Sequence, residues 1–584
     1  MSYRRHILSI VLVLLSSPVF AQVTNHEPID LRKLIKEAVV QGADHVEIPA
    51  GVYRCSTEIT LAGLTNFEIR AHGVVLVKTK IGGALTISRC ANVKVAGLTI
   101  DYDPPPFTQG TITAMSADEK TLELEIHAGY PALTPEMLGH CARHYFDATT
   151  RLWKEGINYF SKPQLEILAS GKIRAVFDRP QTGVKPGDYI AFDQRDLNPN
   201  ACVSIRDCPG RVELEDITIH AAGALAIVGR YCEDQVIFRR VKVERGPRPS
   251  GATEDRLLSS NADGVNFACC RKGPLLDQCD FSFMGDDSLN VHGILLCVVQ
   301  VISPTRILAA IDNRPSGLLA INQPGDNIDV LAPVSFARVG QTICESIKIL
   351  PDNADSIRKE AQLNFKSKNS ITIYQIDFRQ PADFLKAGQW LDFPAINCPG
   401  FMVTNSTFHD HRARGLRIQG SHGLVVGNHF ERIGSSAIQI GPELKMWRES
   451  GWVRDVVVRG NTLKNIGIGG DFTESFCYTP GAIAICARTD VSRPPFPREN
   501  EDITIEGNQI DGCPASGIHA YGVKRLVIRD NTIRRTNTGD TSRTGQGFQL
   551  SARCAIELEG VSNPVVERNQ ISENEAPASA GSNQ

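Results

Sequence analysis

The stretch ITIEGNQIDGCPASGIHAYGVKRLVIRDNTI, residues 503–533, carries one phrase twice, as IEGNQI at 505–510 and IRDNTI at 528–533. Each runs aliphatic, two variable residues, asparagine, one variable residue, apolar, and Asn508 and Asn531 stand 23 residues apart. Between them lies GIHA (517–520), a small residue followed by aliphatic, outward and apolar positions. Alternation of this kind marks strands with one buried face. A period near 23 residues is too short for a self-contained fold and fits one coil of a solenoid, in which each rung is buried by its neighbours.

Both phrases recur outward from this stretch. The asparagine phrase returns as VVGNHF (425–430), VRGNTL (458–463) and VERNQI (566–571), and the second phrase as GVNF (264–267), SLNV (288–291), GLRI (415–418), AIQI (437–440) and AIAI (482–485). Val265 to Leu289 is 24 residues and Leu416 to Ile438 is 22, the other spacings being longer. The fold class is therefore all-β, a right-handed parallel β-helix with loop insertions; an antiparallel sandwich is the alternative. Near the start, Asp30 is placed to cap a helix with Leu31, Leu34, Ile35, Ala38 and Val39 on one face and Gly42 at its end, which would cover the first rung.

The coil pattern lapses from about Tyr102 to Asn200 and from about Ile294 to Asn397, where strands such as TLELEIHAG (121–129) and KSKNSITIYQIDF (366–378) alternate with turns. Each lapse is long enough for a small β-barrel or sandwich. The expected organisation is a signal peptide 1–21, an N-terminal cap with the first rungs 22–101, an inserted β module 102–200 and rungs 201–293. A second inserted β module 294–397, C-terminal rungs 398–572 and a disordered tail 573–584 follow.

The bulk numbers narrow the function. Lys plus Arg (62) nearly balances Asp plus Glu (65) in 584 residues, which disfavours an electrostatic grip on nucleic acid or anionic lipid. The opening MSYRRHILSIVLVLLSSPVFAQ reads as an export signal cleaved after Ala21, and no later apolar run is long enough to span a membrane. A soluble periplasmic or secreted protein is expected. Sixteen cysteines without CxxC pairs read as buried free thiols, with disulfides permitted by the compartment.

Aligning GVNF with SLNV places Asp263 and Asp287 at equivalent positions one coil apart, with Asp286 beside them and Gly285 helping the chain to bend. Stacked rungs lie about 4.8 Å apart, so three carboxylates gather at one bend. The same alignment sets Arg414 with Asp287, Arg417 with Asn290 and Gln419 with His292, followed by Gln439 and Glu443 one rung later. Asn266, Asn290, His292, Arg417, Gln419 and Gln439 then form an outward polar column suited to binding sugar. Crowded carboxylates hold at least one proton, and an acid beside a base is what glycoside hydrolysis requires. The same cluster could instead cap turn amides or bind Ca²⁺.

The motifs NAD (261–263), GDD (285–287), VHG (291–293) and RIQ (417–419) resemble, in altered form and the same order, those of polygalacturonase-type β-helix glycosidases. That resemblance implies Asp286 as general acid, Asp263 with Asp287 as base, His292 orienting the acid and Arg417 contacting sugar. Gln419 stands where those enzymes carry a lysine suited to a uronate, which favours a neutral hexose.

With its two insertions and the GDD spacing, the chain looks like glycoside hydrolase family 110, whose members are exo-acting inverting α-galactosidases. They release terminal α-1,3-linked galactose, including from blood-group-B-type glycans. The resemblance implies a galactose-terminated oligosaccharide or glycoconjugate as partner, no cofactor, no metal, no nucleic acid and no membrane insertion, and a flat solenoid side could pair two copies as a homodimer. A pectin hydrolase, a calcium-dependent polysaccharide lyase and a non-catalytic glycan-binding β-helix are the rival readings.

Overall fold

The computed structural model describes residues 31–572, save 136–142, 158–162, 170, 196–199, 313–320, 351–356, 358, 360–370, 445–446, 450, 470–478, 488–498 and 539–553. The export signal, the Asp30 cap and the tail beyond Ser572 lie outside the described residues.

Parallel strands stack coil upon coil. One coil consists of Leu275–Asp277, Asp280–Ser282 and Leu289–His292; the next of Met402–Thr404, Thr407–His411 and Leu416–Ile418; the next of Gly423–Val426, His429–Ile433 and Ile438–Ile440. Each strand pairs in parallel with its counterpart above. The third strands build an 11-stranded sheet, and the first two build a 23-stranded sheet wrapped around the opposite side of the core. Between the sheets runs one continuous apolar core from Leu31 to Ile533, with Phe281, Phe408 and Phe430 stacked at 5.7 and 5.0 Å. Each buried aliphatic or aromatic side chain contributes about 1.5–3 kcal/mol.

The asparagine phrase is not one strand but two, joined at a corner. Val527–Arg529 and Thr532–Thr536 are separate strands, and Asp530 between them takes a φ of +57°. The preceding coils turn on Gly427, Gly460 and Gly507 at φ +68°, +63° and +65°, a conformation that glycine adopts without a Cβ clash. The asparagines themselves form a buried ladder: the side-chain amide of Asn428 donates to Asn461, Asn461 to Asn508, Asn508 to Asn531 and Asn531 to Asn569, at 2.9–3.0 Å. The phrase recurs because five successive corners use an asparagine, the ladder ending on Ser406, whose backbone N–H donates to Asn428 at 3.0 Å.

The helix Leu31–Val40 sits on the first rung with Leu31 and Ile35 buried. It ends in paired bonds from Gly42 N–H to Val39 and from Ala43 N–H to Ala38, the Schellman arrangement that a C′ glycine permits. Val39, expected on the buried face, is 38% exposed, because only the stripe nearest Leu31 and Ile35 meets the rung.

The first insertion folds as a six-stranded antiparallel sheet that includes Arg143–Phe146 and Tyr189–Asp193; the second closes into a six-stranded barrel between Leu296 and Asp392. Twelve of the fourteen cysteines among the described residues are buried. No described helix is long and apolar enough to cross a membrane.

Candidate active site

Strand register brings the acidic motifs together. Val265 lies against Leu289, Asn266 against Asn290, and Ala268 against His292. Gly264 N–H donates to the Asp287 carbonyl at 2.9 Å, so the turn carrying Asp263 stacks directly on the turn carrying Asp287. Asp263, Asp286 and Asp287 each offer a carboxylate oxygen within 4.8 Å of the others. Gly285 shapes this bend differently from expectation. The left-handed residue is Phe283, at φ +58°, whereas a Cβ on Gly285 would lie 2.5 Å from the Asn261 carbonyl oxygen and 3.1 Å from Arg195 Nη2. The glycine allows close approach; it does not supply the turn.

Three arginines meet two of the three carboxylates. Arg195 Nη1 donates to Asp286 at 2.8 Å and its Nη2 to the Gly285 carbonyl at 3.0 Å. Arg412 Nη2 lies 3.1 Å from the other oxygen of Asp286, and its Nε donates to Gly285 O at 2.6 Å. Arg414 grips Asp287 with its backbone N–H, Nε and Nη2 at 2.9, 2.8 and 2.8 Å. Among the described residues, Asp263 receives only the Asn266 amide, at 2.8 Å. A divalent cation would have to enter among three guanidiniums that already balance the carboxylate charge, which disfavours it.

The charges divide accordingly. Burial opposes ionisation of Asp286, but Arg412, Arg195 and Arg414 outweigh it and hold this carboxyl well below the usual range. Burial, reinforced by the charges of Asp286 and Asp287, pushes Asp263 well up. Asp287 is raised by burial against the opposing pull of Arg414. These surroundings favour a proton on Asp263 and a negative charge on Asp286, whereas the resemblance implies Asp286 as the acid.

The polar column is in register as expected, Asn290 against Arg417 and Arg417 against Gln439. It is not the open strip expected from the alternation: Asn266, Asn290, His292, Arg417, Gln419, Gln439 and Glu443 are all buried. The segment that follows Ile440 folds over the column, with Glu443 bridged to Glu449. Trp452 and Leu444 of this segment pack with Leu295, Leu331 and Phe336 around the second insertion. Beneath this roof, Glu449 accepts the Gln419 amide at 2.8 Å and the Asn290 amide at 3.3 Å, and His292 Nε2 stands 3.6 Å away. Glu443 accepts the Trp447 amide of its own segment at 2.5 Å. Arg417 is 1% exposed, and neither of its Nη atoms has a hydrogen-bond partner among the described residues. Its guanidinium and the unbonded Gln439 carbonyl oxygen are adjacent rung positions ready for hydroxyl groups.

Sequence reasoning missed Arg195, Arg412 and Glu449. Arg412 stands two residues before Arg414, in the bend between the strands Thr407–His411 and Leu416–Ile418, where no strand alternation orders the side chains. Arg195 and Glu449 lie in insertions that share no repeat register with the coils.

A family model described as a right handed beta helix region matches residues 486–583, in keeping with the parallel coils. The chain is 23% identical over 520 residues to alpha-1,3-galactosidase A of Bacteroides fragilis, covering 83% of this chain and 77% of that one. It is 22% identical over 548 residues to alpha-1,3-galactosidase B of Akkermansia muciniphila, covering 86% and 63%. A Yersinia enterocolitica family 28 exopolygalacturonase aligns in structure over 90% of this chain and 73% of its own, at 11% identity and a TM-score of 0.35.

Proposed function

We propose that this protein is an exported glycoside hydrolase of family 110 that removes terminal α-1,3-linked galactose from glycans with inversion of configuration. The observation that carries the reading is the stacked carboxylate cluster, one oxygen from each aspartate lying within 4.8 Å of the others, where burial favours the protonated form of Asp263 and the arginines favour the ionised form of Asp286. Asp263 gives its proton to the leaving oxygen, and Asp286 with Asp287 activates the water. Arg417 and Gln439 bind hydroxyls of the sugar. The similarity to two alpha-1,3-galactosidases over most of the chain supports the substrate. At the position where the resembled enzymes carry a lysine, Gln419 is bonded to the carboxylate of Glu449, which would repel an anionic group placed there.

Retention is the second reading: retaining carboxyl pairs stand about 5–5.5 Å apart and inverting pairs about 6.5–9.5 Å, and each aspartate here brings one oxygen within 4.8 Å of the others. Inversion at this spacing needs two carboxylates to share one water beside the donor. Proton NMR of an α-1,3-linked galactosyl disaccharide during turnover separates these outcomes. β-Galactose appearing first supports inversion, and α-galactose appearing first supports a glycosyl-enzyme on Asp286. Release of galacturonate from polygalacturonate alone, or an unsaturated product lost on chelation, overturns the galactosidase reading.

A further inference from the structure

We propose that Arg195, delivered by the first inserted β module, is a positioning residue of the active site whose guanidinium fixes the orientation of the Asp286 carboxylate. The inference rests on Asp286 taking part in hydrolysis, but its geometry stands apart from the solenoid's own register. Arg195 lies two residues beyond the strand Tyr189–Asp193, which pairs with Arg143–Phe146 so that Ala191 faces His144. From there it spans to the bend at Gly285 and Asp286, ninety residues away in sequence.

The arm is braced from behind. Asp193 is fully buried; its Oδ1 accepts the Arg195 backbone N–H, and its Oδ2 the Arg195 Nε, both at 3.3 Å. The same Oδ2 is 2.9 Å from His144 Nε2. Burial keeps the His144 imidazole neutral, its pKa pushed down to about 4, and Trp153 closes over it edge-on with ring centroids 4.9 Å apart. A buried carboxylate with two such partners holds a guanidinium to one rotamer. The absence of a side chain at 285 leaves room for Nη2. The inserted module thus completes a wall of the catalytic cluster.

Arg195 is one of several charges facing Asp286. Arg412 and Arg414 come from the next coil, Asp263 from the coil before, Asp287 from the same turn, and buried His411 from behind Arg412. Asp193 stands behind Arg195 itself. With two guanidiniums on Asp286, removal of one leaves it ionised over a narrower pH range.

The test uses the full chain with carboxyl-¹³C aspartate, the Asp286 signal being identified by its loss in Asp286→Asn. In Arg195→Gln the Asp286 midpoint should rise by about one pH unit or more. The acidic limb of the pH–rate profile on an α-1,3-galactoside should rise with it, and Arg195→Lys should restore most of the shift. An unmoved midpoint in folded Arg195→Gln overturns the proposal, leaving Arg195 a tether for the module. Should that variant not fold, Asp193→Asn, which frees the arm while keeping its charge, carries the same expectation and the same refutation. The carboxyl titration needs no turnover, so a protein inert on every glycoside sinks the hydrolase reading without deciding this one.

Discussion

At the residue scale, function turns on which carboxyl holds the proton, and the surroundings of Asp263 and Asp286 differ enough to decide it. One has an amide for company and two negative neighbours; the other has two guanidiniums. If Asp263 is the donor, Asp263→Asn should lose about 100-fold or more on a galactosyl disaccharide. It should lose far less on a nitrophenyl α-galactoside, whose leaving group departs without a proton. Asp286→Asn should suffer equally on both. The opposite pattern, measured as kcat/KM on the two substrates, would return the donor's role to Asp286 as the resemblance implies. The motif letters name the three aspartates but not this division, which depends on arginines from other segments.

At the element scale, the asparagine ladder explains both the repeat and its tolerance of variable loops. Asn508 donates to the Val458 carbonyl and to Asn531, and accepts from the backbone and side-chain N–H groups of Asn461. A buried corner without these bonds would leave backbone groups of two neighbouring coils unpaired. Asn508→Ala should therefore cost ~3 kcal/mol, read as a lower urea midpoint at unchanged slope. An unaltered midpoint would mean that the ladder carries no stability. The phrase was legible because five successive coils close the same corner with the same side chain, whereas the two coils before them carry Ser406 and Cys279 there. That it bends into two strands was not, since the left-handed residue before the asparagine is Gly427 in one coil and Asp530 in another.

At the scale of the whole molecule, the solenoid supplies the carboxylates and the insertions supply what surrounds them. The first contributes Arg195, and the second supports the 443–452 roof, where the Trp452 indole donates to the Phe336 carbonyl at 3.1 Å. Trp452→Ala should loosen that roof and lower kcat/KM on the order of ten- to a hundredfold, mostly through KM. Unchanged kinetics in a folded variant would separate the barrel from the site. The sequence by itself determined the stacking of Val265 on Leu289 and of Asn290 on Arg417, because a period of two and a fixed coil length leave one register that buries the apolar set. Only the tertiary structure decided that the polar column is roofed, that Glu449 and Arg195 join the site, and that two guanidiniums meet Asp286 while an amide meets Asp263. Those outcomes depend on contacts between segments that share no repeat, and local patterns carry no information about where such segments meet.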